Sequence, residues 1–222
     1  MADSLGQGDA AVRLVRDERG LALVGDGMEL RGDFSRMLPR LRQGRLQQEL
    51  LVKAARIKGA EAPTAVDCTA GLGEDSLLLA AAGFAVTLFE RDQTIAALLA
   101  DALERAAADP RLAEAVGRMT LVAGNSITGL ATLPEPPDVV YLDPMFPART
   151  KSAAVKKKFQ LLHHLEQPCE EEEALVAAAL AAQPRNVVIK RPAKGALLAG
   201  MKPSYSVAGK AVRYDVLVPP RP

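Results

Sequence analysis

Two short stretches of the sequence combine residue types that can bind and orient a small reactive molecule. The first is Asp143-Pro144-Met145-Phe146-Pro147, which follows an apolar segment. Proline ends a strand and fixes the local backbone, so the Asp143 carboxylate, the Pro144 carbonyl and the Phe146 ring are predicted to project from one sheet edge. Two acceptors beside an aromatic ring suit a flat heterocycle that carries an amino group. Asp-Pro alone is a common strand terminator; the aromatic ring three positions later favours a site.

The second stretch is a glycine turn between an apolar segment and a helical one. It reads Asp67-Cys68-Thr69-Ala70-Gly71-Leu72-Gly73-Glu74-Asp75. Glycine lets main-chain amides approach a ligand closely, and the helix predicted to begin near Ser76 offers unpaired N–H donors at its start. A dinucleotide site would have a third glycine in place of Ser76, so the turn favours an adenosine ligand without phosphates. The alternative is an ordinary connection between a strand and a helix.

Further polar side chains follow two other strand-like segments. Glu90 ends the predicted strand 84–89, about 20 residues beyond the glycines, where nucleotide-binding folds place the acid that binds the ribose hydroxyls. Asn125 and Ser126 follow the predicted strand 119–123 and are candidates to contact an adenine edge. The alternative for Ser126 is a helix N-cap. Because the carboxyl ends of parallel strands share one sheet edge, these side chains are expected to lie near the glycine turn.

The elements that must position these residues form an alternating series. From residue 61 onward, strand-like and helical segments alternate, which predicts an α/β fold with a parallel sheet and helices on both faces. Strands are predicted at 65–66, 84–89, 119–123, 138–142 and 186–190, and a terminal hairpin at 204–218 around Gly209. Helices are predicted at 76–82 and 93–108, and a third runs from the acidic residues 170–173 to Ala182.

The first 60 residues are predicted to form an N-terminal module that covers one edge of the main domain, residues 61–222. A small hairpin at 11–15 and 21–24 is only marginally stable alone and must pack against another element. A helix follows and ends at Lys58-Gly59. Its apolar stripe consists of Leu46, Leu50, Leu51, Ala54 and Ile57.

The charges of the chain are unevenly distributed. The 222 residues have a net charge of only +1. However, residues 31–58, 148–158 and 185–213 together carry +18, which leaves −17 for the remainder. This separation predicts a basic face that binds a polyanion such as RNA. The alternative is a set of scattered, solvated lysines and arginines.

Several classes of protein are disfavoured by the sequence. Two distant cysteines give neither a disulfide framework nor a metal pair, which fits a reduced cytoplasmic protein. His163 and His164 have no partner at ligand spacing, so we expect no metal. No apolar run reaches the ~18 residues that a membrane span needs. The basic segment 148–160 is expected to contact phosphates, and the alternative is a solvated linker.

At this point the sequence resembles the class I S-adenosylmethionine-dependent methyltransferases, and in particular the bacterial 16S ribosomal RNA guanine-N2 methyltransferase J family. The resemblance extends from about Gly44 to Pro192. Each motif is modest alone, but their order is specific. The motifs are Thr69-Ala70-Gly71-Leu72-Gly73 with Asp75, Glu90-Arg91, Tyr141-Leu142-Asp143-Pro144-Met145-Phe146-Pro147, Lys151-Ser152-Ala153 with Val155-Lys156-Lys157, and Lys190-Arg191-Pro192.

The resemblance implies a Rossmann-like methyltransferase sheet with a C-terminal antiparallel hairpin, and it implies S-adenosylmethionine as the methyl donor. Its implied acceptor is a guanosine near the 3′ end of 16S ribosomal RNA, either naked or in the assembled small subunit. The residues assigned to the donor are Gly71, Gly73, Glu74, Asp75, Glu90, Arg91, Asn125, Ser126 and Asp143. Those assigned to catalysis are Asp143, Pro144 and Phe146. Those assigned to RNA are Arg45, Arg149, Lys151, Lys156, Lys157, Lys158, Lys190 and Arg191.

Three other functions remain open on the sequence. A methyltransferase for DNA adenine or protein glutamine would use a similar site, usually with Asn at position 143 and a second proline at position 145. A nicotinamide oxidoreductase is disfavoured by Ser76. A non-enzymatic ribosome-assembly factor would keep the basic face but would not bind a methyl donor.

Overall fold

The computed structural model describes residues 12–25, 27–144 and 171–220. A small antiparallel sheet opens this part of the chain, with strands β1 (Arg13–Asp17), β2 (Gly20–Gly25) and β3 (Met28–Leu30) in that order. The predicted hairpin is therefore present, and β3 is an additional strand that the sequence did not predict. The sheet packs on a long helix, α4 (Gln93–Ala107, numbered in chain order with the helices below), where Leu23 and Leu30 join a buried cluster with Ile95 and Leu98.

Two short helices connect this sheet to the main domain, α1 (Leu38–Leu41) and α2 (Leu50–Ala55). The sequence predicted one helix through the apolar stripe, but the structure has a 3-10 turn at Leu46–Gln48 and then a break at Glu49. The Glu49 backbone is extended, and its carboxylate accepts hydrogen bonds from Arg40 Nε at 2.8 Å and Nη2 at 2.7 Å. Helical periodicity does not predict this ion pair, because its partners are nine residues apart on different elements. The stripe still faces inward, because Leu46, Leu51 and Ala54 are buried.

The main sheet has seven strands in the described residues. They are β4 (Thr64–Asp67), β5 (Ala85–Glu90), β6 (Met119–Ala123), β7 (Val139–Leu142), β8 (Asn186–Pro192), β9 (Tyr205–Ala208) and β10 (Val212–Leu217). Their spatial order is β6-β5-β4-β7-β8-β10-β9. The first five run parallel, whereas β10 is antiparallel to both β8 and β9. This confirms the predicted parallel sheet with a C-terminal antiparallel hairpin.

Helices cover both faces of the main sheet, as predicted. Besides α2 and α4, those in the described residues are α3 (Glu74–Ala81), α5 (Ala113–Val116), α6 (Ser126–Leu130) and α7 (Glu172–Ala181). Alternate residues of the central strands enter two separate buried clusters. In β7, for example, Val139 and Tyr141 join the cluster under α3, while Val140 and Leu142 join the cluster under α6 and α7. Both faces of β7 are therefore buried, as in parallel sheets generally. None of the helices in the described ranges is long and apolar enough to cross a membrane.

Candidate active site

The two chemically suggestive stretches lie side by side at the carboxyl edge of the main sheet. The strand order reverses between β4 and β7, and open α/β sheets bind ligands at such a point. Cys68 N donates a hydrogen bond to Tyr141 O at 3.0 Å, and Asp143 N donates one to Thr69 Oγ1 at 2.7 Å. The start of the glycine turn is thus tied directly to β7 and to Asp143, the residue that follows it. No local sequence pattern predicted this role of Thr69.

The two glycines of the turn serve different purposes. Both have left-handed backbones, with φ of 54° at Gly71 and 75° at Gly73. A Cβ added at Gly73 would lie 2.8 Å from Leu99 Cδ1 and 3.2 Å from Phe34 Cζ, so Gly73 faces the packed interior. A Cβ at Gly71 would meet nothing within 4 Å among the residues that the structure describes, so in this part of the chain the backbone there borders open space. Gly71 is therefore the position at which a ligand can approach the main chain closely.

Glu90 ends β5 beside this turn and is buried. Its Oε2 accepts a hydrogen bond from Gly71 N at 2.9 Å, and its Oε1 accepts one from Asp92 N at 2.8 Å. Burial raises the pKa of Glu90, and these backbone donors oppose the rise. A fixed acid beside an open glycine turn fits the ribose of an adenosine ligand, because each carboxylate oxygen can accept more than one hydrogen bond. The residues present therefore fit the adenosine part of S-adenosylmethionine.

Other residues predicted to bind the donor lie around the same edge. Glu74 is exposed and opens α3, which begins two residues earlier than predicted. Asn125 caps α6 through Oδ1, which accepts from Ile127 N at 2.9 Å; the alternative that Ser126 is the cap is therefore wrong. Ser126 is buried, as is Cys68 at the start of the glycine turn. Arg91 is exposed, and its Nη1 lies 3.9 Å from Glu171 Oε2.

Lys190 joins two carboxylates at this edge. Its Nζ lies 2.7 Å from Asp75 Oδ2 and 2.8 Å from Asp143 Oδ2. Tyr141 Oη donates a further hydrogen bond to Asp75 Oδ2 at 2.6 Å. Burial raises the pKa of Asp143, and the Lys190 ammonium opposes that rise. The sequence predicted Lys190 as an RNA contact, and no local pattern indicated that its partners would be Asp75 and Asp143.

Asp67, at the end of β4, is a buried acid below the glycine turn. Its Oδ1 accepts from Thr69 N at 3.0 Å, and its Oδ2 accepts from Ser76 Oγ at 2.5 Å. Burial raises its pKa to about 7. Asp67 thus binds a proton more tightly in the folded than in the unfolded chain.

Because of this raised pKa, Asp67 should make the fold less stable as the pH rises from about 4 to about 7. Asp67→Asn keeps an acceptor for Thr69 N and removes the titration. Between pH 5 and pH 8, we expect its free energy of unfolding to gain about 2–3 kcal/mol relative to the wild type. Urea unfolding at both pH values measures this difference. If the free energies of unfolding of the two proteins changed equally between these pH values, Asp67 would not titrate in this range.

The described parts of the basic segments come together in the fold. Helix α2, within segment 31–58, contacts β8, β9 and β10, which lie in or adjoin segment 185–213. Several of their cations are neutralised by acids: Arg31 by Asp17 and Glu29, and Arg213 by Asp215. Arg191 is buried, and its Nε donates to Ala196 O at 2.7 Å. The exposed cations around α1 and α2 are Arg36, Arg42, Arg45, Lys53, Arg56 and Lys58, of which Arg36 pairs with Asp33.

Part of the predicted site lies outside the described residues. This applies to the third basic segment and to the aromatic residue of the Asp-Pro motif. The residues concerned are Phe146, Arg149, Lys151, Lys156, Lys157 and Lys158. Among the residues that the structure does describe, no three His, Cys, Asp or Glu side chains are grouped so as to hold a metal ion.

Comparison with known proteins gives consistent matches over nearly the whole chain. A family model for SAM-dependent methyltransferases matches residues 7–219. A protein of Thioalkalivibrio sulfidiphilus called ribosomal RNA small subunit methyltransferase J is 46% identical over 213 residues, which are 92% of this chain and 84% of that protein. The protein of the same name from Neisseria meningitidis is 40% identical over 206 residues, covering 91% and 82% of the two chains.

A solved structure shows the same architecture. The crystal structure of a SAM-dependent methyltransferase from Neisseria gonorrhoeae superposes with a TM-score of 0.78 at 32% sequence identity. The match covers 96% of this chain and 85% of that one. The N-terminal sheet and the main domain therefore both have counterparts within one solved protein.

Proposed function

Because this chain belongs to the SAM-dependent methyltransferase family and is similar to ribosomal RNA small subunit methyltransferase J, we propose that it methylates the N2 amine of a guanosine near the 3′ end of 16S ribosomal RNA. The acceptor is naked 16S RNA or the small subunit, in the cytoplasm where subunits mature. The observation that carries the proposal is the joining of the glycine turn to the Asp143-Pro144 motif at one sheet edge.

The donor is held, in this proposal, on the glycine-turn side of the edge. S-adenosylmethionine supplies a methyl group on a positively charged sulfur, so its transfer needs no metal. Glu90 accepts hydrogen bonds from the ribose hydroxyls, and Gly71 lets the backbone approach the ligand. Glu74, Asp75, Arg91, Asn125 and Ser126 complete the donor site, and Gly73 fixes the turn by its packing.

The acceptor amine is held by the Asp143-Pro144 motif. The lone pair of a guanine N2 amine is delocalised into the ring, so the amine is a weak nucleophile and must be oriented. Asp143 and the Pro144 carbonyl accept hydrogen bonds from its two protons, which holds the nitrogen in place and raises its electron density. The amine attacks the methyl carbon as the bond from that carbon to sulfur breaks, and S-adenosylhomocysteine leaves. The extra proton on the methylated nitrogen is released to solvent afterwards, so Asp143 need not be a strong base. Phe146 stacks on the base once it is turned out of the RNA.

The RNA backbone is bound by cations. We propose Arg45 on the described surface and Arg149, Lys151 and Lys156 to Lys158 in the third basic segment. Lys190 and Arg191 were also predicted to bind RNA. Their positions favour internal roles, since Lys190 contacts two carboxylates and Arg191 is buried.

Replacing Lys156, Lys157 and Lys158 together by glutamine should weaken RNA binding and its salt dependence. Loss of three phosphate contacts is expected to reduce the slope of log affinity against log salt by about 2–3. Filter binding of 16S RNA between 50 and 200 mM salt, a range in which such effects are large, measures the slope. Arg111→Gln serves as a control, because Arg111 is exposed but paired with Asp109. An unchanged slope in the triple variant would exclude these lysines from the interface.

One experiment separates the proposed function from its rivals. Small subunits from a strain that lacks this enzyme are incubated with the protein and a donor labelled in the methyl group, and the labelled nucleotide is mapped. A guanosine N2 label supports the proposal. Parallel incubations replace the subunits by DNA or by protein; label on adenine of the DNA or on protein glutamine would favour the related amino-methyltransferases. A protein that shows no donor binding by calorimetry would be an assembly factor, and binding of a reduced nicotinamide cofactor would indicate an oxidoreductase.

A further inference from the structure

The Lys190 ammonium is the only side-chain cation in the described residues that contacts carboxylates from both halves of the candidate active site. It extends from β8, between Asp75 in the first turn of α3 and Asp143 at the end of β7. The Lys190 side chain is 26% exposed, compared with 18% for Asp75 and 35% for Asp143. An ammonium that makes two short contacts with acids is poorly placed to bind an RNA phosphate as well.

We propose that Lys190 is a positioning residue that holds Asp143 as an ionised acceptor and directs one of its oxygens toward the substrate amine. The proposal deepens the function proposed above and rests on it. Because the ammonium already lies 2.8 Å from Asp143 Oδ2, we assign the substrate amine to Oδ1. Asp143 N is held at the same time by Thr69 Oγ1, so the residue is fixed at both its backbone and its side chain.

Ionisation of Asp143 matters because only the carboxylate form accepts with both oxygens. The charged and titratable groups that face Asp143 among the described residues are Asp67 on β4, Asp75 on α3, Tyr141 on β7, Lys190 and Arg191 on β8, and Tyr214 on β10. Burial and Asp75 raise the pKa of Asp143, whereas Lys190 and Arg191 lower it, with Lys190 the strongest of the opposing groups. Without Lys190, Asp143 would hold a proton to a higher pH.

The contact with Asp75 gives Lys190 a second role. Asp75 is assigned to the donor and Asp143 to the acceptor, so one cation ties the two binding loops together. Tyr141 Oη donates to the same Asp75 oxygen and fixes that carboxylate from the strand below. The position of the amine acceptor thus depends on the position of the donor loop.

The test compares the wild type with Lys190→Met and Lys190→Arg by two measurements. The first is a carbon-13 NMR titration of the aspartate carboxyls, with the Asp143 signal assigned from Asp143→Asn. An opposite charge at this distance typically lowers a carboxyl pKa by about 1–3 units, so the Asp143 midpoint should rise by that amount in Lys190→Met. Lys190→Arg should restore at least half of the shift. Lys202→Met, at an exposed lysine, is the matched control and should leave the midpoint unchanged.

The second measurement is the pH profile of kcat/KM for methyl transfer. In Lys190→Met its acid limb should move upward by the same amount as the Asp143 midpoint, with kcat lowered more than donor affinity. An unchanged Asp143 midpoint would overturn the proposal. A moved midpoint with an unmoved acid limb would also overturn it, because Lys190 would then be a purely structural ion-pair partner.

Two further controls keep the outcomes distinct. If Lys190→Met does not fold, the double variant Lys190→Met with Asp75→Asn removes one negative charge along with the positive one, and its Asp143 midpoint should still exceed that of the wild type. If the wild type transfers no methyl group to ribosomal RNA, the proposed function fails. The NMR titration does not use RNA, so it still decides whether Lys190 controls the ionisation of Asp143.

Discussion

Asp143→Ala is expected to lower the rate of methyl transfer at least about 10²-fold, the usual effect of removing one well-placed electrostatic partner from an active site. The amine loses its charged acceptor and is no longer oriented toward the methyl group. Donor binding should be retained in part, because Gly71 and Glu90 contact each other and not Asp143. Single-turnover methylation with saturating donor measures the chemical step, and calorimetry with S-adenosylmethionine measures the binding.

The structure indicates that this variant should still fold. Removing Asp143 leaves Lys190 Nζ 2.7 Å from Asp75 Oδ2, so the cation keeps a partner. Asp143→Asn is the matched control: it retains one acceptor oxygen and should retain more activity than the alanine variant. A single-turnover rate within threefold of wild type in Asp143→Ala would rule out the proposed role of this residue.

Glu90→Ala should weaken S-adenosylmethionine binding by about 3 kcal/mol, or roughly 100-fold, because hydrogen bonds to a charged acceptor are lost. The same substitution also removes the acceptor for Gly71 N and Asp92 N, so the glycine turn loses one of its supports. Because burial raises the pKa of Glu90, donor binding by the wild type should weaken as the pH falls through that raised value. Calorimetry of S-adenosylmethionine binding, with the wild type and Glu90→Ala at two pH values, measures both the loss of affinity in the variant and the pH dependence in the wild type.

Two comparisons separate ligand contact from support of the turn. Glu90→Gln keeps the shape of the side chain but places an amide donor against one of the two backbone N–H groups, so it should also bind the donor weakly. Glu104→Ala alters an acid of α4 outside the site and should bind the donor normally. A Glu90→Ala protein that binds S-adenosylmethionine as tightly as wild type would contradict the assignment of Glu90 to the ribose.

Local sequence patterns predicted the sheet well because they reflect short-range constraints. Strand 119–123 matches β6 at both ends, and strand 138–142 differs from β7 by one residue. Such apolar segments are bounded by glycine, proline and polar residues that cannot continue a strand. The prediction of one helix through the apolar stripe from Leu46 to Ile57 was less successful. The helix is broken at Glu49, whose carboxylate forms an ion pair with Arg40, nine residues earlier. The spacing of apolar residues predicts which face of a helix is buried, but it does not predict which side chains form ion pairs.

The sequence by itself determined the order of strands and helices, and it brought the glycine turn, Glu90 and Asp143 to one edge. These follow because polar residues at the ends of parallel strands meet at the same edge of the sheet. Only the tertiary structure decided which glycine borders open space and that Thr69 holds the backbone of Asp143. It also joined Lys190 to Asp75, 115 residues away along the chain. Side-chain partners depend on the distance and direction of groups on different elements, which the spacing of residues along a single chain does not encode.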